Sequence, residues 1–204
     1  MSSVSALYSL PSIQSLLSAF HQMSEQVVEL AIAVQQIPAP TFAEATRAAF
    51  IQQQLTALGL QDVAQDELHN VYGRLPAANP SRAPIIISAH SDTVFPVETD
   101  LAIRRDGRFI YGPGIADNST GVAGIMTLAK VLHEAALGLP ADLWFVANVG
   151  EEGLGDLRGM RAVVERFGAD AVYIVVEGGL FGQISHRGIG VRRFKLEVQT
   201  PGQV

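Results

Sequence analysis

Pro84 leads into Ile85-Ile86-Ile87-Ser88-Ala89, a run that is apolar on both of its faces. A strand with one wet face alternates apolar and polar residues. A run without that alternation belongs inside a sheet covered on both sides. Leu143 to Val149 and Ala171 to Val176 read in the same way. Between these strands the period changes. Val122, Ile125, Met126, Ala129 and Leu132 recur at helical spacing within Ser119 to Leu137, and Arg158 to Phe167 is helical as well. Strands alternating with helices specify an α/β fold: a three-layer, mostly parallel sheet with helices on both faces.

Upstream, residues 1–11 read as a loose leader. Ile13, Leu16, Leu17, Phe20, Val27, Leu30, Ile32 and Val34 place one helix over Ser12 to Gln36, stopped by Pro38 and Pro40. A second helix is expected over Thr41 to Leu58, with Phe42, Ala45, Ala49, Phe50 and Leu55 on its inner side and Gly59 as its stop. Asn70 to Leu75 reads as a short strand, and Ile103 to Tyr111 as a hairpin turning at Asp106-Gly107. The tail differs. Phe194, Leu196 and Val198 alternate with Lys195, Glu197 and Gln199, the pattern of a half-exposed strand in another sheet. A domain boundary is therefore placed at about Gly188, dividing the chain into residues 1–187 and 188–204.

Composition removes whole classes of function. The chain has 204 residues, 48% of them hydrophobic and 17% charged, which is enough to bury a core. Its net charge of -6 excludes a basic nucleic-acid binder. With no cysteine there is no disulfide scaffold, thiolate metal site or cysteine nucleophile. No stretch of 18 apolar residues occurs, so no membrane span is expected. No secretory leader is read at the N-terminus either, and a cytoplasmic location is the expectation.

Open α/β sheets bind ligands beyond the carboxyl ends of their strands. Those ends carry polar residues here. His90-Ser91-Asp92 follows the first buried strand, Gly150-Glu151-Glu152-Gly153 the second, and Glu177-Gly178-Gly179 the third. Asp117 lies in Gly112-Pro113-Gly114-Ile115-Ala116-Asp117-Asn118, at the start of a helix. One histidine and five carboxylates would meet at one sheet edge and repel one another without counter-charge. Divalent cations supply that charge, and histidine with carboxylates suits zinc. Residues two apart in an extended segment face the same way, so Asp92 can reach the His90 ring and fix its tautomer. Glu151 and Glu152 point in different directions; one can ligate while the other accepts a proton from water. Asp117 could bridge two metals. Each residue has a plain alternative: a strand-end hydrogen bond for His90 and Asp92, a solvated acidic loop for Glu151-Glu152, a helix N-cap for Asp117, a strand-end acid for Glu177. Their common edge and order favour the metal. His21, His69 and His133 read as ordinary residues, and His186 as structural.

Other motifs fail. Gly112-x-Gly114-x-x-Asp117 puts an aspartate where a dinucleotide fingerprint needs glycine. No phosphate loop, metalloprotease helix or Gly-x-Ser-x-Gly elbow is present.

The ordered set Ser88-Ala89-His90-Ser91-Asp92-Thr93-Val94, Gly114-Ile115-Ala116-Asp117-Asn118-Ser119-Thr120-Gly121, Gly150-Glu151-Glu152-Gly153 and Glu177-Gly178 resembles the dinuclear zinc hydrolases. That family includes peptidase T, aminoacylase, carboxypeptidase G, acetylornithine deacetylase and succinyl-diaminopimelate desuccinylase. The resemblance spans about Val27 to Gly202. It implies that His90 and Glu177 bind one zinc, Glu152 the other, and Asp117 bridges them, with cobalt or manganese as alternative metals. Asp92 would orient His90, Glu151 would be the general base, and the Asp117–Asn118 peptide would be cis. The implied reaction is cleavage of an amide bond in a small peptide or N-acyl amino acid by a metal-bound hydroxide.

Family members continue past a Pro-Gly-Gly-His-Ser stretch into a lid domain, which often dimerises, and then supply a last metal-binding histidine. Here Pro201-Gly202 is followed by Gln203-Val204. Residues 188–204 would then be the first strand of a truncated lid, and the chain alone is expected to be inactive. The alternative reading is a non-catalytic metal-binding or interaction domain left by truncation.

Overall fold

The fold, taken from a computed structural model, is described for residues 3–78, 82–178, 182–188, 190, 194, 196–200 and 202. In chain order the elements are α1 (Val4–Tyr8), α2 (Pro11–Gln22), α3 (Ser24–Gln35), α4 (Ala45–Ala57), β1 (Gln61–Gln65), β2 (Val71–Leu75), β3 (Ile85–His90), β4 (Arg104–Asp106), β5 (Phe109–Tyr111), α5 (Thr120–Glu134), β6 (Leu143–Asn148), α6 (Arg158–Phe167) and β7 (Val172–Val175). The main sheet has the order β1-β2-β6-β3-β7. β3 is parallel to both β6 and β7, and β2 is antiparallel to both β1 and β6. The sheet is thus mixed, with β2 alone running against the rest.

The two-residue period of the strands sorts the core into two layers. Ile87 and Ala89, with Leu143, Phe145, Ala147, Val71 and Leu75, pack against Val34 of α3, Ala48, Ile51 and Leu55 of α4, and Val122, Ile125, Met126 and Ala129 of α5. Ile86, Val146 and Tyr72 pack on the opposite side against Val163 of α6 and Ala171. Helices cover both faces, as the unalternated strands require. None of the helices among the described residues is long and apolar enough to cross a membrane.

Several expectations are corrected. The leader contains α1, capped by Ser3, whose Oγ accepts the Ala6 N–H at 3.2 Å. The helix read over Ser12 to Gln36 is two helices, broken at Met23. There the Ser24 hydroxyl donates to the His21 carbonyl, offering the backbone an alternative to a continuous helix. α4 begins at Ala45 rather than Thr41 because tertiary pairing holds the preceding segment. Pro40 bridges to Thr93, the Thr41 N–H donates to the Thr93 carbonyl at 3.3 Å, and Phe42 has a left-handed φ of 78°. The inner face of α4 is Arg47, Ala48, Ile51 and Leu55, while Ala45 and Ala49 are exposed. A buried arginine had shifted the apparent phase by one position. β1 is an additional edge strand, paired with β2 and interrupted by a register shift between Gln61 and Ala64, so it carries no clear alternation.

The hairpin β4–β5 pairs Asp106 with Phe109, so its turn is Gly107-Arg108, one residue later than expected. The strand expected over Phe194 to Val198 is absent at the described residues 194 and 196–200. Alternation alone does not make a strand; a neighbouring strand must take its hydrogen bonds. Residues 79–81, Gly179, Lys195, Pro201, Gln203 and Val204 lie outside the described residues.

Candidate metal centre

His90 is the last residue of β3, the strand between β6 and β7. Its register partner on β6 is Asn148. The segments that leave β6 and β7 therefore flank it: Glu151 and Glu152 on one side, Glu177 on the other. His90 is buried at 2% exposure. Its Nδ1 lies 3.1 Å from the Asp92 carbonyl oxygen and 3.5 Å from Asp92 Oδ1. Nδ1 therefore carries the proton it donates to Asp92. Nε2 faces outward, 2.9 Å from Asp117 Oδ1 and 3.5 Å from Glu177 Oε1.

Asp92 is fully buried and works as a clamp. Oδ1 accepts the Glu151 N–H at 3.0 Å. Oδ2 accepts the Glu152 N–H at 3.1 Å and the Thr41 hydroxyl at 2.9 Å. One carboxylate thus ties the end of β3 to the loop after β6 and to the segment before α4. Behind it, buried Arg47 donates to the Ser91 carbonyl at 2.7 Å and to the Ile37 carbonyl at 2.8 Å.

Asp117 is placed by its neighbour. The Asp117–Asn118 peptide is cis. Asn118 Nδ2 donates to the Val176 carbonyl at 2.9 Å, and its Oδ1 accepts the Gly121 N–H at 3.1 Å in the first turn of α5. The capping role open to Asp117 is thus filled by Asn118, and Asp117 faces His90. A Cβ on Gly178 would collide with the Ala116 carbonyl, so only glycine lets the two loops meet.

The titration shifts follow from this crowding. Burial opposes the His90 imidazolium, but Asp92 and Glu177 outweigh it and push the metal-free pKa up to about 11. Burial also opposes the Asp92 charge, yet its hydrogen bonds from His90, Glu151, Glu152 and Thr41 hold it below the ordinary carboxylate value. Glu151 is raised, first by burial and then by the surrounding carboxylates, with His90 opposing. Glu152 is raised by burial, then by Asp117 and Glu151. Burial lowers Arg47 to about 10, partly offset by Asp92.

His90, Asp117 and Glu152 each offer a ligand atom, all within 4.8 Å of one another. One imidazole nitrogen among carboxylate oxygens, its other nitrogen held by an acceptor, fits a zinc-type cation. All six residues singled out in the sequence come to this edge. His69 instead contacts Gln65 Nε2 at 2.7 Å, and His21, His133 and His186 are exposed. Sequence reasoning missed Thr41, Arg47 and Asn118. Asn118 adjoins a motif residue, whereas nothing local marks Thr41 or Arg47 as partners of the site.

A family model described as peptidase family M20/M25/M40 matches residues 86–202. No curated protein matches the chain. Among solved structures, a tripeptidase from Staphylococcus aureus subsp. aureus is 22% identical with a TM-score of 0.63, covering 76% of this chain and 44% of its own. Aminopeptidase PepT from Bacillus cereus is 23% identical with a TM-score of 0.63, covering 75% and 43% respectively. Human carnosine dipeptidase 1 is 15% identical with a TM-score of 0.64, covering 80% and 41%. At these identities the likeness is one of fold. The chain spans less than half the length of each of these three structures.

Proposed function

The chain belongs to peptidase family M20/M25/M40, whose model matches more than half of it, and on that premise we propose that it provides the metal-holding and proton-accepting part of a metallopeptidase site. The substrate is a small peptide or N-acyl amino acid, cut at its amide bond. The observation that carries this reading is His90: Nδ1 is fixed on Asp92, and Nε2 faces Asp117 Oδ1 at 2.9 Å.

His90, Asp117 and Glu177 would hold one zinc, and Asp117 with Glu152 would contribute to a second; cobalt or manganese suits the same donors. When bound, such an ion polarises the amide carbonyl and acidifies water. Asp92 keeps the proton on His90 Nδ1 so that Nε2 is the ligand, and it holds the Glu151 and Glu152 N–H groups. Glu151 is the general base: its carboxylate takes a proton from the attacking water and returns it to the departing amine nitrogen. Its raised pKa makes it a better acceptor than an exposed glutamate. Glu152 offers a ligand atom within 4.8 Å of those of His90 and Asp117, which supports Glu152 as ligand and Glu151 as base. The catalytic unit is residues 1–187, and residues 188–204 begin a second domain of the lid and dimerisation type.

Dipeptides and N-acetyl amino acids incubated with the zinc- or cobalt-loaded protein test the reading. Turnover that requires added metal and disappears in Glu151→Gln is expected. Metal binding with no dependence on His90 would refute it.

A further inference from the structure

The loop carrying Glu151 and Glu152 is held from two sides. Asp92 grips one of them. On the other side stand two residues far apart in sequence: Glu44, which precedes α4, and Arg158, which opens α6. Arg158 Nη2 donates to Glu44 Oε1 at 2.7 Å, and that oxygen also accepts the Phe42 N–H at 3.0 Å. Glu44 is fully buried. Among the described residues, Glu44 Oε2 and Arg158 Nη1 are buried with no hydrogen-bond partner. The Phe42 ring covers the guanidinium, with its centroid 4.6 Å away. To sit there Phe42 takes a φ of 78°, uncommon for a bulky residue. The guanidinium also abuts Gly150, where any Cβ would collide with it. Gly150 directly precedes Glu151.

A buried ion pair gives little net folding stability compared with apolar residues of the same volume. Stability therefore does not account for a buried carboxylate, a half-satisfied guanidinium and a left-handed phenylalanine at one place. Geometry does. Hydrogen bonds to Asp92 fix the Glu151 and Glu152 N–H groups, and the Val149 and Glu152 carbonyls accept from the Gly159 and Gly155 N–H groups at 3.1 and 2.8 Å; the side-chain contact on Gly150 itself comes from Arg158. The guanidinium packed on Gly150 holds the turn between those anchors.

Resting on the metallopeptidase reading, we propose that the Glu44–Arg158 pair is a positioning device for Glu151 and Glu152. It fixes the backbone at Gly150 so that one acid stays a ligand and the other stays a base. Neither Glu44 nor Arg158 belongs to the cluster of His90, Asp117 and Glu152.

Cobalt(II) titration with visible absorption, thermal melts and amide hydrogen exchange test this on the intact protein. Arg158→Met strands the fully buried Glu44 carboxylate and Glu44→Met the partly buried Arg158 guanidinium, so both melting and cobalt affinity should fall. Glu44→Met/Arg158→Met removes both charges. Its melting temperature should return to near wild type while cobalt affinity stays 10- to 100-fold weaker, with an altered ligand-field band and faster exchange at the Glu151 and Glu152 amides. Recovery of affinity, spectrum and exchange together with melting would overturn the proposal and leave a structural staple. Single variants with wild-type cobalt binding would overturn it too. Should the double variant not fold, Arg158→Lys decides, because it keeps the charge but cannot cover Gly150. Native melting with weakened cobalt binding is expected, and unchanged binding refutes. Wild-type protein that binds no cobalt would refute the metal reading itself, and the inference with it.

Discussion

Asp92→Asn isolates the clamp at the centre of the site. The substitution keeps the shape but replaces one acceptor oxygen with an NH2 donor. With the NH2 at the Oδ1 position, it meets the Glu151 N–H and the His90 ring, both donors. At the Oδ2 position it meets the Glu152 N–H and the Thr41 hydroxyl. The hydroxyl can rotate to accept, so the second orientation is the less costly. It still forfeits one charge-assisted hydrogen bond and leaves a partly buried N–H facing another donor. Those losses together are worth roughly 2–5 kcal/mol. For a domain of this size each kcal/mol lowers the melting temperature by about 2–4 °C, so a fall of roughly 4–20 °C is expected. The Glu152 backbone is released at the same time, and zinc affinity should drop about 10- to 100-fold. Circular dichroism melts of the metal-free protein read the first effect, and competition titration with a zinc-binding dye reads the second. A melting temperature within about 2 °C of wild type with unchanged zinc affinity would show that Asp92 is not the clamp.

Glu151→Gln should abolish turnover by the metal-loaded protein, by at least the roughly 100- to 10,000-fold that general-base catalysis supplies, with metal content unchanged. Glu152→Gln should instead lose metal; equal metal loss in both variants would undo the assignment of base and ligand. Exhaustive dialysis followed by metal analysis should leave one tightly held zinc per chain, since among the described residues the second site has only Asp117 and Glu152. Two retained zincs would point to a further ligand. Gly178→Ala should cost stability and weaken zinc binding together, because its methyl group displaces the Ala116–Asp117 backbone; a melting temperature within about 1 °C of wild type would refute the close approach of the two loops.

The central strands were legible because Ile85–Ala89 and Leu143–Val149 are apolar on both faces, which few other environments tolerate. The site was legible for a related reason, since a parallel sheet gathers the carboxyl ends of its strands and the polar residues stood at those ends. Contacts between distant segments were not. Thr41 and Asp92 are 51 positions apart and Glu44 and Arg158 are 114, and neither pairing leaves a periodic trace. The phase of α4 was misread because Arg47 occupies a core position, its charge met by the Ile37 and Ser91 carbonyls. The break at Met23 depends on one hydroxyl in a segment with strong helical periodicity.

The Asn118 amide joins Val176 to the start of α5, and Asp92 joins the end of β3 to Glu151 and Glu152. Each of these cross-links acts within a few residues of a strand end. Residues 153–157 belong to the held part, since the Gly155 N–H donates to the Glu152 carbonyl at 2.8 Å, whereas residues 94–100 are mostly exposed and take no part in these cross-links. On the proposed reading, recognition of different acyl groups or side chains can be rebuilt over residues 94–100 with the ligand residues unaltered, which makes that stretch the segment to exchange when specificity is to be grafted from one such sheet edge to another.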